Sequence, residues 1–318
     1  MIMKPNRLIK FILLVFLSLQ LQAQSSAPYT LDSVDQWLQE EEASVDDLKE
    51  DNNAMISWAD QPNMQTDLAF VYLHGFGASR MEGEPVISEL SKTFKANVYY
   101  ARLKGHGRTG NQGFKELTKE RYIVSAKEAL DIGRLLGKKV VLISTSTGGT
   151  LSLYLASRYK DIAGLVLYSP FVGLKNPMMN QITTPEGREL FKSMIGGEVQ
   201  KMDRSEPENK FWSTQYHINA YVALIGMLQQ TMTLETFKAV ECPVFMAYYY
   251  KNEKEQDQVV SVPAMLDMYN QLGTLDSQKQ KQAFPETGNH VIASDLRSKD
   301  WMSVLDASEK FIKSQIQN

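Results

Sequence analysis

The chain has 318 residues, 43% of them hydrophobic and 22% charged, with a formal net charge of -3. That is ordinary globular composition, long enough for one large core and an insertion. The weak negative charge gives no basic face for nucleic acid, and the single cysteine, Cys242, excludes an intrachain disulfide.

The first residues read as a targeting segment rather than as fold. Lys4, Arg7 and Lys10 precede an apolar run from Phe11 to Leu19, and a small residue, Ala23, follows. A basic start, a short apolar stretch and a small residue predict a signal peptide over 1–23, and hence an exported protein, periplasmic or secreted. The run falls short of the roughly 20 apolar residues of a spanning helix, so no stable membrane span is expected after cleavage.

From Ser33 to Glu50 the chain is acidic, with Val34, Trp37, Leu38 and Leu48 as spaced apolar anchors. This predicts one or two surface helices with a solvated charged face. Ala54 to Ala59 fits a short edge strand. LAFVYL, residues 68–73, is a buried strand, and the small-residue loop HGFGASR follows it. Pro85 opens a helix with Val86, Ile87, Leu90 and Phe94 on one face. The next strand, ANVYYARL from Ala96 to Leu103, runs into KGHGR. A helix from about Glu120 to Leu136 ends at Gly137, a C-cap residue.

Next comes KKVVLISTSTGGT, Lys138 to Thr150. A β-branched apolar run stops abruptly at small residues, and Leu151, Tyr154 and Leu155 then recur at helical spacing. That predicts a buried parallel strand, a tight turn and a helix. Ser146 stands at the apex of the turn, where its neighbours two before and two after, Ser144 and Gly148, must be small.

IAGLVLY, residues 162–168, is another buried strand. The rhythm then breaks. From Phe171 to Phe237 no sheet-like run occurs, and Met178, Met179, Met194 and Met202 lie among Pro, Gly and charged residues. Ile218, Tyr221, Val222, Ile225 and Leu228 mark a helix within Phe211 to Met232. PVFMAYYY, residues 243–250, restores the strand pattern, and the polar loop KNEKEQDQVV follows. Pro263 opens a helix, Ala283-Phe284 ends a last strand, and the final helix carries Trp301, Leu305, Ser308 and Ile312. Alternating strands and helices predict a doubly wound, mostly parallel α/β sheet of about eight strands with a helical insertion.

The turn STSTG resembles the nucleophile elbow G-x-S-x-G of the α/β-hydrolase superfamily, with Ser144 in place of the first glycine. The HG of the first loop and the RLKGHGR segment resemble the lipase and esterase branch, on the side of monoacylglycerol lipases and carboxylesterases. HGFGASRME, RLKGHGR and QDQVVSV together look like a group of exported bacterial hydrolases. The resemblance implies the α/β-hydrolase fold: a core over 24–170 and 238–318, and a cap or lid over 171–237.

It also implies site residues. Ser146 is the candidate nucleophile, and the N–H groups of Phe76 and Thr147 would form the oxyanion hole. The family order of Ser, then acid, then His leaves His290 as the base, since His74 and His106 precede Ser146 and His217 precedes the strand that should hold the acid. His74 and His106 are read as loop-bracing residues. Asp257, in Asp257-Gln258-Val259-Val260, fits the acid, with Glu253 and Glu255 as alternatives nearer the strand end. Trp212 and Met227 are candidates for lining an acyl pocket in the cap. The implied activity is hydrolysis of a small-molecule acyl ester, short or medium in chain or monoacylglycerol-like, with no cofactor and no metal. A serine peptidase or amidase, or an acyltransferase, would use the same triad. A non-catalytic binding protein would need a broken triad, and none is visible.

Overall fold

The computed structural model of the protein describes residues 28–317. The expected signal peptide lies outside the described residues. Among those described, no helix is long and apolar enough to cross a membrane.

Seven strands form the main sheet: β1 (Met55–Ser57), β2 (Thr66–Leu73), β3 (Asn97–Tyr100), β4 (Gly137–Thr145), β5 (Ile162–Tyr168), β8 (Val244–Tyr248) and β9 (Lys279–Ala283), in the order β1-β3-β2-β4-β5-β8-β9. All neighbours are parallel except β1, which runs antiparallel to β3 at one edge. The sequence had predicted about eight strands in one sheet. Seven are in it, and two more, β6 (Val199–Lys201) and β7 (Gln215–His217), pair antiparallel inside the insertion. They are three residues long, too short to show a period in the sequence.

The central strands are buried on both faces, as their unbroken apolar runs require. Side chains alternate between two cores. Ala69, Val71, Leu73 and Leu142 enter one, and Phe70, Tyr72, Val141 and Ile143 the other. The second core is closed by helix Val86–Phe94 and by the terminal helix Trp301–Gln315, through Ile87, Leu90, Val304, Phe311 and Ile312. The first is closed by helices Lys119–Leu136, Thr147–Arg158 and Val262–Gln271. β9, with Lys279, Gln280, Lys281 and Gln282, has the polar character of a protected edge strand.

The segment 171–237 follows β5. It contains helix Pro185–Ile195, the β6–β7 pair and helix Ile218–Thr231. The helix starts at Ile218 rather than near Phe211 because His217 caps it, accepting from the Asn219 N–H at 3.2 Å. Ile218, Ala220, Ala223, Leu224, Ile225, Met227 and Leu228 from this helix all enter the first core. The insertion is thus packed into the body of the molecule.

Candidate active site

β4 delivers Ser146. The residue has φ 53° and ψ -115°, a left-handed backbone rarely adopted by a non-glycine residue, and its N–H donates to the Tyr168 carbonyl at 3.0 Å. Its carbonyl accepts from Gly149 at 2.8 Å and Phe171 at 2.9 Å, so the turn is held from both sides. A Cβ at Gly148 would lie 1.9 Å from the Leu73 carbonyl oxygen, and one at Gly149 2.7 Å from the Pro170 Cβ. Only glycine lets the helix start so close to β2. Ser144, at the position of the usual first glycine, is fully buried and accepts from the Ser152 hydroxyl at 3.0 Å.

The loop after β2 passes beside Ser146. A Cβ at Gly75 would meet the Ser146 Cβ at 3.1 Å. His74 braces this loop: its Nε2 accepts from the Leu103 N–H at 3.1 Å, which leaves Nδ1 to donate to the Gly75 carbonyl at 2.8 Å. Burial holds the ring neutral by driving its pKa down to about 4. His106 is likewise a turn residue, bonded at Nδ1 to the Lys104 carbonyl at 3.1 Å and at Nε2 to the Tyr122 hydroxyl at 3.2 Å. The insertion also grips the loop. The Ser213 N–H donates to the Gly77 carbonyl at 2.7 Å, and the Phe76 ring packs against Tyr216 and Tyr221, each 5.2 Å away. Among the described residues, neither the Phe76 nor the Thr147 N–H has a protein acceptor.

β8 and the loop after it deliver Asp257, and the loop after β9 delivers His290. Asp257 Oδ2 lies 2.6 Å from His290 Nδ1, while Oδ1 accepts from the N–H groups of Val259 at 2.8 Å and Val260 at 3.0 Å. Glu253 and Glu255 face elsewhere: the first takes the Tyr250 hydroxyl at 3.0 Å and the second the Asn252 amide at 2.9 Å. Burial raises the Asp257 pKa, but the His290 charge, its hydrogen bond and the two backbone N–H groups outweigh that, and the carboxyl is held below its usual range. For His290, burial lowers the pKa; Asp257, and then the charge of Glu82, outweigh it, and the ring is pushed above its usual value. The other ring nitrogen, Nε2, is buried with no hydrogen-bond partner among the described residues.

Ser146 and His290 line one cavity of about 330 Å³ together with Phe76, Trp212 and Val291. Met227 does not line it. That side chain is fully buried in the first core, because its helix turns this face toward the body of the molecule. The same cavity takes in three charged residues that the sequence reading did not single out: Glu82, Arg204 and Arg297. Glu82 is only 3% exposed. It accepts from the Gly75 N–H at 2.5 Å, and burial pushes its pKa up to about 7. Its place inside the HGFGASRME segment was the only available signal; Arg204 and Arg297 had none. A larger cavity, about 630 Å³, lies between helix Ile218–Thr231 and the start of helix Lys119–Leu136, and contains neither Ser146 nor His290.

Known proteins share this frame. The chain resembles a thermostable monoacylglycerol lipase of Bacillus sp. (strain H-257), 31% identical over 94 residues, which span 30% of this chain and 37% of that relative. Among solved structures, a metagenome-derived lipolytic enzyme aligns with a TM-score of 0.68 at 16% identity, over 84% of this chain and 99% of that one. The monoacylglycerol lipase of Paleococcus ferrophilus aligns at 0.60 and 14% identity, over 82% of this chain and 98% of the other. At those identities the likeness is one of fold. Residues 65–286 match the family model described as serine aminopeptidase S33, Hydrolase_4. The match covers more than half of the chain and coincides with the elbow, the HG loop and most of the sheet, so the protein belongs to this family of α/β-hydrolases.

Proposed function

We propose that the protein is a serine hydrolase that cleaves carboxylic esters through an acyl-enzyme on Ser146. His290 is the base and Asp257 the acid that orients it. The observation that carries this reading is the state of His290. One nitrogen is fixed on Asp257, and the other is buried, unpartnered and in the same cavity as Ser146.

Asp257 keeps the proton on Nδ1, which leaves Nε2 free to accept the Ser146 proton as Oγ attacks the ester carbonyl. The N–H groups of Phe76 and Thr147 receive the oxyanion of the tetrahedral intermediate. His290 then gives the proton to the leaving alcohol. Water, activated by the same ring, releases the acid. Lipolytic relatives support an ester rather than an amide. The cavity beside Ser146 is small and partly polar, which favours a short acyl group.

Glu82 supports a second reading. A buried carboxyl beside Ser146 is what an aminopeptidase needs to hold a substrate ammonium, in line with the description of the family. Turnover of p-nitrophenyl butyrate against an aminoacyl p-nitroanilide, run beside Ser146→Ala, decides between them. Ester turnover that depends on Ser146 is the expected result; anilide turnover without ester turnover would replace esterase by peptidase.

The targeting pattern of Lys4, Arg7, Lys10 and Ala23 supports export as a further proposal. Mass spectrometry of the native protein should find a mature start between Ala23 and Ala27, and an intact Met1 would rule it out.

A further inference from the structure

The wall of the Ser146 cavity carries more positive charge than the catalytic machinery explains. Arg204, from the turn after β6, and Arg297, from the loop before the terminal helix, both line it. A single carboxylate, Glu208, serves the two. Arg297 Nη1 donates to Glu208 Oε1 at 2.6 Å, and Arg204 Nη1 lies 3.8 Å from Oε2. Among the described residues Glu208 is the one carboxylate within ion-pair distance of the two guanidiniums. The Glu82 carboxyl in the same cavity has its pKa pushed up to about 7 by burial, against the charge of Arg297, so near neutral pH it offsets the remaining positive charge only in part.

The two arginines differ in how their donors are used. Arg204 is tied into the insertion: its Nε donates to the Ser213 carbonyl at 3.1 Å and its Nη2 to the Tyr216 hydroxyl at 3.4 Å. Arg297 donates to the insertion through Nη1 alone, on Glu208. Its Nε is buried and has no hydrogen-bond partner among the described residues. Its guanidinium carbon sits 5.6 Å from the centre of the Trp212 ring, which holds the planar group in place without using its donors. A buried charged donor without an acceptor is costly, and guanidinium donors form a fork that matches a carboxylate. Glu82 is not the missing acceptor: its Oε2 accepts from the Gly75 N–H, and among the described residues no hydrogen bond or ion pair joins it to Arg297.

We propose that Arg297, backed by the charge of Arg204, receives a carboxylate of the substrate, so that the ester cleaved at Ser146 is one whose acid or alcohol part bears a negative charge. This rests on the ester-hydrolase reading above. The placement has a consequence for selectivity. A neutral ester leaves the buried Arg297 Nε unpaired, and an anionic one of the same size can satisfy it. The discrimination is therefore expected mainly in KM.

The test compares matched esters on the whole protein. On the acyl side the pair is mono-p-nitrophenyl glutarate and p-nitrophenyl pentanoate. On the alcohol side it is para-acetoxybenzoate and its methyl ester. In at least one pair the anionic member should have the higher kcat/KM, by about tenfold, the scale of one charge-assisted contact. In Arg297→Gln that ratio should fall toward one. Arg297→Lys, which keeps the charge facing Glu208 but loses the fork, should lie between. A wild-type preference for the neutral member in both pairs would overturn the proposal without recourse to any variant, as would an anionic preference that survives in a folded Arg297→Gln.

A second readout separates this idea from the ester reading. Free glutarate should slow labelling of Ser146 by a fluorophosphonate in the wild type and not in Arg297→Gln. Labelling protected in this way, with none of the four esters cleaved, would remove ester hydrolysis and keep the anion subsite. Ester cleavage with no glutarate protection and no anionic preference would do the reverse.

Discussion

Ser146, Asp257 and His290 each owe their state to neighbours that a change of one atom would remove. Ser146→Ala should lower kcat by roughly 10⁴-fold or more while leaving the melting temperature nearly unchanged, because Ser146 Oγ holds no structural hydrogen bond; both are read by ester assay and calorimetry. Asp257→Asn reverses the tautomer that the 2.6 Å contact to Nδ1 enforces. It should cost roughly 10³- to 10⁴-fold in kcat, whereas Glu253→Gln and Glu255→Gln, on exposed side chains, should cost little. His290 must be neutral to act as base, and its pKa lies above the ordinary histidine value of about 6.5. The acid limb of kcat/KM should therefore fall above that pH, not at or below it.

Outside the proposed triad, Glu82 is a buried carboxyl whose charge state the fold shifts. Its carboxyl binds a proton more tightly folded than unfolded, since burial raises its pKa from 4.5 to about 7. The destabilisation is therefore absent below the unfolded pKa and fully present once pH passes the folded one. Glu82→Gln keeps an acceptor for the Gly75 N–H and removes the charge. It should stabilise the protein at pH 8 by on the order of 1–3 kcal/mol relative to its effect at pH 4, measured by denaturant titration. The same change removes a charge that supports the His290 imidazolium, so the acid limb of kcat/KM should move to lower pH. A limb that stays in place would show that Glu82 does not act on the base.

At the scale of elements, the site is built at strand ends, where parallel strands hand over to helices. The junction of β4 with helix Thr147–Arg158 is the tightest. Gly148→Ala would drive a Cβ into the Leu73 carbonyl at the end of β2, and backbone cannot yield as a flexible side chain does. The expected loss is about 3 kcal/mol or more, seen as a drop in melting temperature and as loss of fluorophosphonate labelling. Most strands were legible because both faces are buried, so that LAFVYL, VVLI, IAGLVLY and PVFMAY carry no polar interruption. Helix faces were less secure. The terminal helix buries Val304, Ala307, Ser308, Phe311 and Ile312, while Trp301 and Leu305 are only partly covered. Ser308 and Ile312 lie on the buried face as expected; in the first half of the helix Val304 and Ala307 take the place expected of Trp301 and Leu305, because apolar residues flank both sides there. The β6–β7 pair was missed because three residues show no period.

At the scale of the whole molecule, the candidate triad is supplied by the carboxyl ends of β4, β8 and β9, strands far apart in sequence and held together by one sheet. The insertion shares a core with that sheet through helix Ile218–Thr231. The site should therefore fail only when the sheet does. Loss of fluorophosphonate labelling and loss of far-ultraviolet ellipticity should share one urea midpoint. Labelling lost at lower urea would mean that the insertion unfolds on its own.

The sequence by itself determined the alternating α/β pattern and the tight turn at Ser146, because strand burial and tight turns are local demands that restrict residue type; the order of serine, acid and histidine came from the family resemblance. It left the choice among Glu253, Glu255 and Asp257 open, since all three sit in one polar loop and only the folded loop brings a single carboxylate to His290 Nδ1. Trp212 and Met227 were both expected at the pocket; Trp212 lines the cavity and Met227 lies in the core, because a helix carrying apolar residues around most of its girth does not announce which side meets the core. Glu82, Arg204 and Arg297 belong to three segments separated by more than a hundred residues or nearly so, and beyond the HGFGASRME segment around Glu82 nothing in their neighbourhoods marks them. Their meeting beside Ser146 is a property of the packed chain: only the tertiary structure decides which charges lose their water together and which donors are left without an acceptor.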